Sequence, residues 1–256
     1  MEPPAVKIKV SGCHRYILCV LAAAFLSSGC MPPPATVPLG TVFYEHPGAG
    51  GRRLLIVFLP GNGDKPTAFE RHGLLDALRK KGVPADVVGV NAHLGYYANG
   101  SMFRRLKEDV IDPAKAKGVD RIWLVGNSLG AYGALAYLGR HPGDIAGVVL
   151  LGPFVGDRDA IEEVKKAGGL MYWEPGPVEP ADWKKSLLLL LKDYERHPDA
   201  YPPVYLGFGK FDKFVISQRF LAELLPRDHV IELTGGHEWR TWRKIWERFL
   251  DREILK

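Results

Sequence analysis

Two patterns of hydrophobic and polar positions alternate along the chain from about Leu39 onward. Continuous apolar runs bounded by polar residues, glycine or proline are typical of strands buried on both faces of a sheet. They predict strands at residues 54–59, 86–90, 121–125, 145–151, 202–208 and 230–233. Apolar residues three and four positions apart predict helices. These helices fall at residues 67–81, 101–117, 129–140, 183–196, 214–225 and 238–255.

Strands that alternate with helices predict an α/β fold with a mostly parallel central sheet and helices on both faces. The connections between its parallel strands should be right-handed crossovers. Pro113 predicts a break near Asp112 in the helix at 101–117, because proline cannot donate a helical hydrogen bond. In the last helix, a stripe of large apolar residues predicts a seam that faces the core. The stripe consists of Trp242, Ile245, Trp246 and Phe249.

One segment, residues 154–201, departs from this alternation of strands and helices. It contains the pair Gly168-Gly169, several prolines and the aromatic residues Tyr172, Trp173 and Trp183. Insertions of this length between two core strands are commonly functional or disordered, and the aromatic content favours a folded segment. The sequence therefore predicts a lid over a binding site.

The stretch IWLVGNSLGAYGAL, residues 122–135, places a serine directly after a buried strand and before a helix. Ser128 would then lie at the carboxyl edge of the sheet, where α/β proteins bind ligands. A turn this tight strains the serine backbone, and side chains at Gly126 and Gly130 would collide with the neighbouring strand and helix. The helix starting at Leu129 directs its positive N-terminus toward the hydroxyl.

This Gly-x-Ser-x-Gly turn, with Asn127 between the first glycine and the serine, resembles the nucleophile elbow of the α/β-hydrolase superfamily. The order of elements from residue 54 to residue 255 is similar to that superfamily as well. The resemblance implies an α/β-hydrolase fold in which Ser128 is the nucleophile. It also implies that an acid and then a histidine follow along the chain.

His237 resembles the catalytic histidine of that family. It follows the last predicted strand, at the same carboxyl edge of the sheet as Ser128, and Gly235 and Gly236 let the loop fold inward. The string from Gly235 to Arg243 is also similar to an esterase branch that carries a histidine–aromatic pair there. A histidine is required because a serine hydroxyl is a weak nucleophile until a base accepts its proton.

Asp212 resembles the acid of the family, because it follows the penultimate strand and precedes His237 by 25 residues. Its alternative role is the N-cap of the helix predicted near Phe214. Asp157 and Asp182 are lesser candidates for the acid.

Two backbone amides are expected to stabilise the oxyanion. One belongs to Leu129, which follows the nucleophile. The other should come from the loop after the strand at 54–59, where the family often has His-Gly and this chain has Pro60-Gly61. Asn62 is the predicted donor, and Gly61 is the neighbouring alternative.

The first thirty residues resemble a bacterial lipoprotein signal. A basic stretch precedes an apolar run of 11 residues, residues 16–26, and the run ends close to Cys30. The resemblance implies a signal peptide at 1–29, lipidation of Cys30, a proline-rich tether at 30–40 and a hydrolase domain at 41–256. An ordinary cleaved signal peptide or an uncleaved anchor is the alternative. The expected location is the bacterial cell envelope, on a membrane surface or in the periplasm.

Composition excludes several other functions. The net charge of +5 over 256 residues is too mild for a nucleic-acid-binding surface. All three cysteines precede residue 31, so the predicted domain holds no thiolate metal site, and no His-Glu-x-x-His motif occurs. His93 either lines the pocket with Tyr96 and Tyr97 or serves a structural role in its loop, and the structural role is preferred.

Together these features predict a serine hydrolase that forms an acyl-enzyme on Ser128, most directly a carboxylic-ester hydrolase. The substrate would be a small ester or acyl compound, and neither a dissociable cofactor nor a metal is implied. Two alternatives remain: an acyltransferase or thioesterase with the same three residues, and a non-catalytic binding lipoprotein on a hydrolase fold. The sequence does not indicate the oligomeric state.

Overall fold

The structure is a computed structural model that describes residues 32–47, 53–179 and 182–255. Pro34–Lys256 forms one compact unit. The predicted signal peptide and Cys30 lie outside the described residues. In the part of the chain that the structure describes, no helix is long and apolar enough to cross a membrane.

Strands and helices alternate along the described chain. The strands are β1 (Thr41–Tyr44), β2 (Arg53–Leu59), β3 (Ala85–Val90), β4 (Val119–Asn127), β5 (Gly147–Leu151), β6 (Val204–Gly209) and β7 (Val230–Leu233). The α-helices are α1 (Ala68–Arg71), α2 (Leu74–Lys80), α3 (Leu94–Ala98), α4 (Met102–Leu106), α5 (Asp112–Ala116), α6 (Leu129–Arg140), α7 (Arg158–Lys166), α8 (Trp183–Arg196), α9 (Val215–Glu223) and α10 (Trp239–Asp251).

The seven strands form one sheet in the order β1-β3-β2-β4-β5-β6-β7. β1 runs antiparallel to β3, and every other pair is parallel. The predicted fold class, an α/β fold with a mostly parallel sheet, is confirmed. Because the strands are parallel, the loops after β2, β4, β6 and β7 all leave from the same edge of the sheet.

Helices cover both faces of the sheet, and the side chains of β2 show why its sequence is a continuous apolar run. Leu55, Val57 and Leu59 pack into a core on one face, together with residues of α4, α6, α8 and α9. Leu54, Ile56 and Phe58 pack into a second core, which includes residues of α2 and α10. The predicted Trp-rich seam of α10 is fully part of this second core.

Two predicted helices are more irregular than expected. The helix predicted at 67–81 is two short helices, because Gly73 between them has a φ of 79° that a right-handed helix does not allow. The helix predicted to break near Asp112 continues instead. A π-helical turn, Lys107–Ile111, joins α4 to α5, and Pro113 lies in the first turn of α5, directly after it.

The residues predicted to form the end of the tether lie against the domain. Thr36 forms hydrogen bonds with the hydroxyl of Tyr96, and the amide of Leu39 donates to Asp109 at 2.7 Å. Leu39 is buried. The packed domain therefore begins before the predicted boundary at residue 41.

Residues 154–201, the predicted lid, connect β5 to β6 and contain α7 and α8. The two helices are tied together, because Asp157 begins α7 as its N-cap and forms an ion pair with Lys184 of α8. Lys192 of α8 also donates to the carbonyl of Trp173 at 2.8 Å. The segment is folded, and its function as a lid stays a prediction.

Candidate active site

The tight turn predicted at Ser128 is present between β4 and α6. Ser128 has φ 51° and ψ −115°, a conformation that residues with a side chain rarely adopt. The amide of Ser128 donates to Leu151 of β5 at 3.0 Å, and its carbonyl accepts from Tyr132 at 3.1 Å. These bonds hold the strained residue in place at the edge of the sheet.

The two glycines of the turn are required by contacts with backbone. A Cβ on Gly126 would lie 2.3 Å from the carbonyl of Gly130. A Cβ on Gly130 would lie 1.9 Å from the carbonyl oxygen of Leu59, at the end of β2. Since backbone cannot move aside as a flexible side chain can, neither position accepts a larger residue without distorting the turn.

Ser128, His237 and Asp212 form a continuous hydrogen-bonded chain. His237 Nε2 lies 2.9 Å from Ser128 Oγ, and His237 Nδ1 lies 2.8 Å from Asp212 Oδ2. The carboxylate of Asp212 has no exposed side-chain surface, and the imidazole is 13% exposed. The structure thus brings together three side chains that are up to 109 residues apart.

The loops after β6 and β7 place the acid beside the histidine. Lys210 donates to the carbonyl of Leu233 at 2.8 Å, and Phe211 donates to that of Gly235 at 2.9 Å. Asp212 Oδ1 also accepts the amide of Phe214 at 2.9 Å. The same carboxyl group therefore orders its own loop with one oxygen and binds the imidazole with the other.

The imidazole of His237 packs between two aromatic rings. Phe214 and Trp242 meet it edge to face, with ring centroids 5.1 and 4.9 Å away. Such packing fixes the orientation of the ring, which a general base requires. Trp242 belongs to the string from Gly235 to Arg243 in which the sequence indicated a histidine–aromatic pair.

The other candidate residues have structural roles. Asp157 and Asp182 are N-caps, which accept the amides of Ala160 and Lys185. His93 caps α3 through the amide of Gly95. Tyr96 is fully buried and bonds to Thr36, so it does not line the site. Within the described residues, no histidines, aspartates or glutamates are grouped for a metal ion.

Asn127 connects the turn at Ser128 to the loop after β2. Its carboxamide is completely buried; Oδ1 accepts the amide of Gly61 at 3.0 Å, and Nδ2 lies 3.4 Å from Asp64 Oδ2. The Gly61 amide, the alternative oxyanion donor, therefore bonds to Asn127 in this structure. Asn62, in the exposed part of this turn, remains the candidate donor.

Leu129, the other candidate donor, is the first residue of α6. The first amides of a helix have no carbonyl partner within the helix, so this N–H is available to a ligand beside Ser128. Asn127 therefore links the loop after β2 to the turn from which α6 begins.

A strip of four aromatic side chains extends from His237 and was only partly visible in the sequence. Phe214 contacts Phe154, Phe154 contacts Trp183, and Trp183 contacts Tyr132, with centroid distances of 4.7, 5.3 and 5.1 Å. All four rings are half-buried. They come from three separate segments, so only the folded chain reveals that they adjoin.

The sequence pattern of a family described as alpha/beta hydrolase fold matches residues 102–249, more than half of the chain. This chain belongs to the α/β-hydrolase family. The matched range includes Ser128, Asp212 and His237, whereas the loop after β2 precedes it. The search of curated proteins found no sequence that matches this α/β hydrolase.

Solved structures of other α/β hydrolases share the fold at low sequence identity. An S-formylglutathione hydrolase from Staphylococcus aureus is 14% identical, with a TM-score of 0.64 over 88% of this chain and 97% of that one. A ferulic acid esterase is 15% identical, with a TM-score of 0.59 over 87% and 96%. A monoacylglycerol lipase from Paleococcus ferrophilus is 17% identical, with a TM-score of 0.56 over 85% and 98%.

Proposed function

We propose that this protein is a serine hydrolase that cleaves carboxylic esters through an acyl-enzyme on Ser128. The hydrogen-bonded chain from Ser128 through His237 to Asp212 carries the proposal, because each member stands where acyl transfer needs it. The similar folds of an S-formylglutathione hydrolase, a ferulic acid esterase and a monoacylglycerol lipase support it.

In the first half-reaction, Ser128 Oγ attacks the ester carbonyl carbon while His237 Nε2 accepts the hydroxyl proton. The negative charge that develops on the carbonyl oxygen is stabilised by the amides of Leu129 and Asn62. Asp212 stabilises the imidazolium. When the tetrahedral intermediate collapses, the carbon–oxygen bond to the alcohol breaks and His237 returns the proton to the departing alkoxide.

In the second half-reaction, a water molecule replaces the alcohol. His237 removes a proton from this water as it attacks the acyl carbonyl of the ester on Ser128. Collapse of the second tetrahedral intermediate releases the carboxylic acid, and the proton passes from His237 back to Ser128 Oγ. In this proposal Ser128 is the nucleophile, His237 is the base, and Leu129 and Asn62 are the oxyanion donors.

A fluorophosphonate probe tests the nucleophile directly, because it phosphonylates a serine only when a neighbouring base activates it. We expect the wild-type protein to be labelled and to hydrolyse p-nitrophenyl acetate. Ser128→Ala should abolish labelling and lower kcat by at least about 10⁴-fold, and Asp212→Asn should lower kcat by about 10³–10⁴-fold. Ser101→Ala, which changes the half-buried serine directly before α4, is the matched control.

Folded wild-type protein that neither reacts with the probe nor hydrolyses esters would overturn the proposal and favour a binding protein on a hydrolase fold. Labelling that persists in Ser128→Ala would assign the nucleophile to another residue. Addition of methanol or a thiol separates the hydrolase from an acyltransferase, which would pass most of the acyl group to the added acceptor. A thioesterase would instead prefer an acyl thioester to the matching oxygen ester.

We also propose that lipidation of Cys30 anchors the domain to a membrane of the bacterial cell envelope. The basic and apolar stretches that precede Cys30 support this location. Expression with a radiolabelled fatty acid should label the wild type and leave Cys30→Ser unlabelled. Equal release of both proteins in soluble form would contradict the anchor without affecting the proposed reaction.

A further inference from the structure

Trp242 carries a buried N–H group beside His237. The residue is 4% exposed, and its ring meets the imidazole of His237 edge to face. Within residues 32–47, 53–179 and 182–255, its indole Nε1 has no hydrogen-bond partner. Because a buried donor without a partner costs stability, folded proteins keep few such groups, and each that persists calls for an explanation.

Gly152, directly after β5, shows which group this indole nitrogen adjoins. A Cβ on Gly152 would lie 2.5 Å from Trp242 Nε1 and 3.1 Å from Asp212 Oδ2. The two atoms therefore border the same small space, which is open because residue 152 has no side chain. The amide of Gly152 donates to the carbonyl of Gly207 in β6 at 2.8 Å, and this bond holds the glycine at the edge of the sheet.

The carboxylate of Asp212 can accept a further hydrogen bond. Oδ1 accepts the amide of Phe214 at 2.9 Å, and Oδ2 lies 2.8 Å from His237 Nδ1. A carboxylate has about four lone-pair sites, and this one has no side-chain surface exposed to water. A further donor to Oδ2 must therefore come from the protein, and the indole N–H of Trp242 borders this oxygen.

We infer that Trp242 is a positioning residue whose indole N–H donates to Asp212 Oδ2 during the reaction and keeps the carboxylate directed at His237. The inference rests on the proposed function and adds a residue to it. Hydrogen bonds that are long in a resting enzyme tighten as the reaction proceeds. When His237 takes the proton of Ser128, its positive charge attracts Oδ2, and a second donor on that oxygen keeps the carboxylate from rotating away.

Replacement of the N–H alone tests the inference. Incorporation of 3-benzothienylalanine at position 242 puts sulfur in place of the N–H and keeps the shape of the ring. We expect kcat for p-nitrophenyl acetate to fall about tenfold while KM changes less than twofold, because a misaligned base slows proton transfer and leaves substrate binding intact. Trp242→Phe should lose at least as much, since it also shrinks the ring that packs on His237.

Trp246→Phe is the matched control. It removes a buried indole N–H from the same helix, but that N–H donates to the carbonyl of Leu74. Its kcat should stay within twofold of the wild type. Circular dichroism of all three altered proteins checks that each is folded before its activity is compared.

The indole proton signals in nuclear magnetic resonance report the bond itself. Phenylboronic acid forms a tetrahedral adduct in which boron bonds to Ser128 Oγ and His237 holds the hydroxyl proton, as in the proposed intermediate. We expect the Nε1 proton signal of Trp242 to move downfield when the adduct forms, because the N–H then donates to a carboxylate. The signal of Trp246 should stay in place.

Two results would overturn the role of Trp242 and leave the hydrolase intact. One is wild-type kcat in the 3-benzothienylalanine protein. The other is a Trp242 signal that does not move downfield in protein that has bound the boronic acid. A folded wild type that the fluorophosphonate does not label would instead refute the hydrolase, and the role of Trp242 with it.

Discussion

Ser128 is strained by its own backbone, since a positive φ crowds the side chain of any residue except glycine. We expect Ser128→Gly to be more stable than Ser128→Ala by about 1 kcal/mol, which corresponds to about 2–4 °C in Tm. Both variants lack the hydroxyl, so the difference in stability between them reports the backbone strain at residue 128. Thermal unfolding of the two proteins under the same conditions measures the difference, and equal Tm values would show that the turn is relaxed.

We expect Asn127 to affect the proposed reaction through the loop that it binds. Asn127→Ala removes the acceptor of the Gly61 amide and leaves the Asn62 turn free to shift. Because loss of one oxyanion donor costs about 10²–10³ in kcat, partial misplacement should lower kcat about 10–100-fold while KM changes less than threefold.

The change at Asn127 has a matched control in Asn99→Ala, because Asn99 is exposed and, within residues 32–47, 53–179 and 182–255, its side chain bonds only to Ser101. Asn99→Ala should leave kcat and KM unchanged. A rise in KM with kcat unchanged in Asn127→Ala would mean that the loop binds substrate and leaves the oxyanion to other donors.

At the scale of elements, Asp144 joins three helical segments. Lys107 of the π-helical turn, Lys115 of α5 and Tyr137 of α6 donate to its carboxylate at 2.7, 2.7 and 3.0 Å. Burial by itself would raise the pKa of Asp144, but these hydrogen bonds outweigh it and lower the pKa to about 2. The ionised carboxylate therefore stabilises the folded state.

The pKa of Asp144 sets the pH range in which this stabilisation disappears. A carboxyl group with a lowered pKa in the folded protein contributes fully above its unfolded value of 3.8, and the contribution is lost as pH falls toward 2. We expect Asp144→Asn to lower the free energy of unfolding by about 1–2 kcal/mol at pH 7.

Urea unfolding of wild type and Asp144→Asn at several pH values measures this contribution. The difference between the two proteins should shrink as the pH drops from 4 to 2. Asp199→Asn, at an exposed aspartate, should match the wild type throughout. A difference that stays constant with pH would assign the effect to packing and not to charge.

The sequence predicted some elements to the residue. The helix at 129–140 and the strand at 230–233 have the predicted bounds. β1 was not predicted, because this four-residue edge strand alternates between exposed and half-buried side chains and lacks a continuous apolar run. Gly73 was read as part of a helix because periodicity of apolar residues does not report the sign of φ.

The site was predictable to the extent that each residue follows a strand. Ser128, Asp212 and His237 come after β4, β6 and β7, so parallel topology alone brings them to one edge. The bond between Asn127 and Gly61 could not be predicted, because the two residues approach through the packing of β2 against β4. The aromatic strip depends in the same way on how α8 docks on α6.

At the scale of the whole molecule, Trp246 connects the last helix to the first half of the chain. Its ring is completely buried against Phe58, and its indole N–H donates to the carbonyl of Leu74 at 3.0 Å. Trp246→Phe leaves a void and removes this hydrogen bond, so we expect the free energy of unfolding to fall by about 2–3 kcal/mol. Urea unfolding measures this loss.

Activity provides the second readout for Trp246→Phe. His237 is held by residues nearer the start of α10, so kcat for p-nitrophenyl acetate at 25 °C should stay within twofold of the wild type. Trp239→Phe, on the same helix at a half-buried position, should cost less stability. A large drop in kcat for Trp246→Phe in folded protein would mean that the far end of α10 also orients the histidine.

The backbone conformation of Ser128 has a consequence for laboratory evolution. A screen that selects for heat tolerance alone would enrich replacement of this serine by glycine. The selected variants would be thermostable and inactive. Libraries built for thermostable versions of this protein therefore need a simultaneous selection for activity, which keeps serine at position 128.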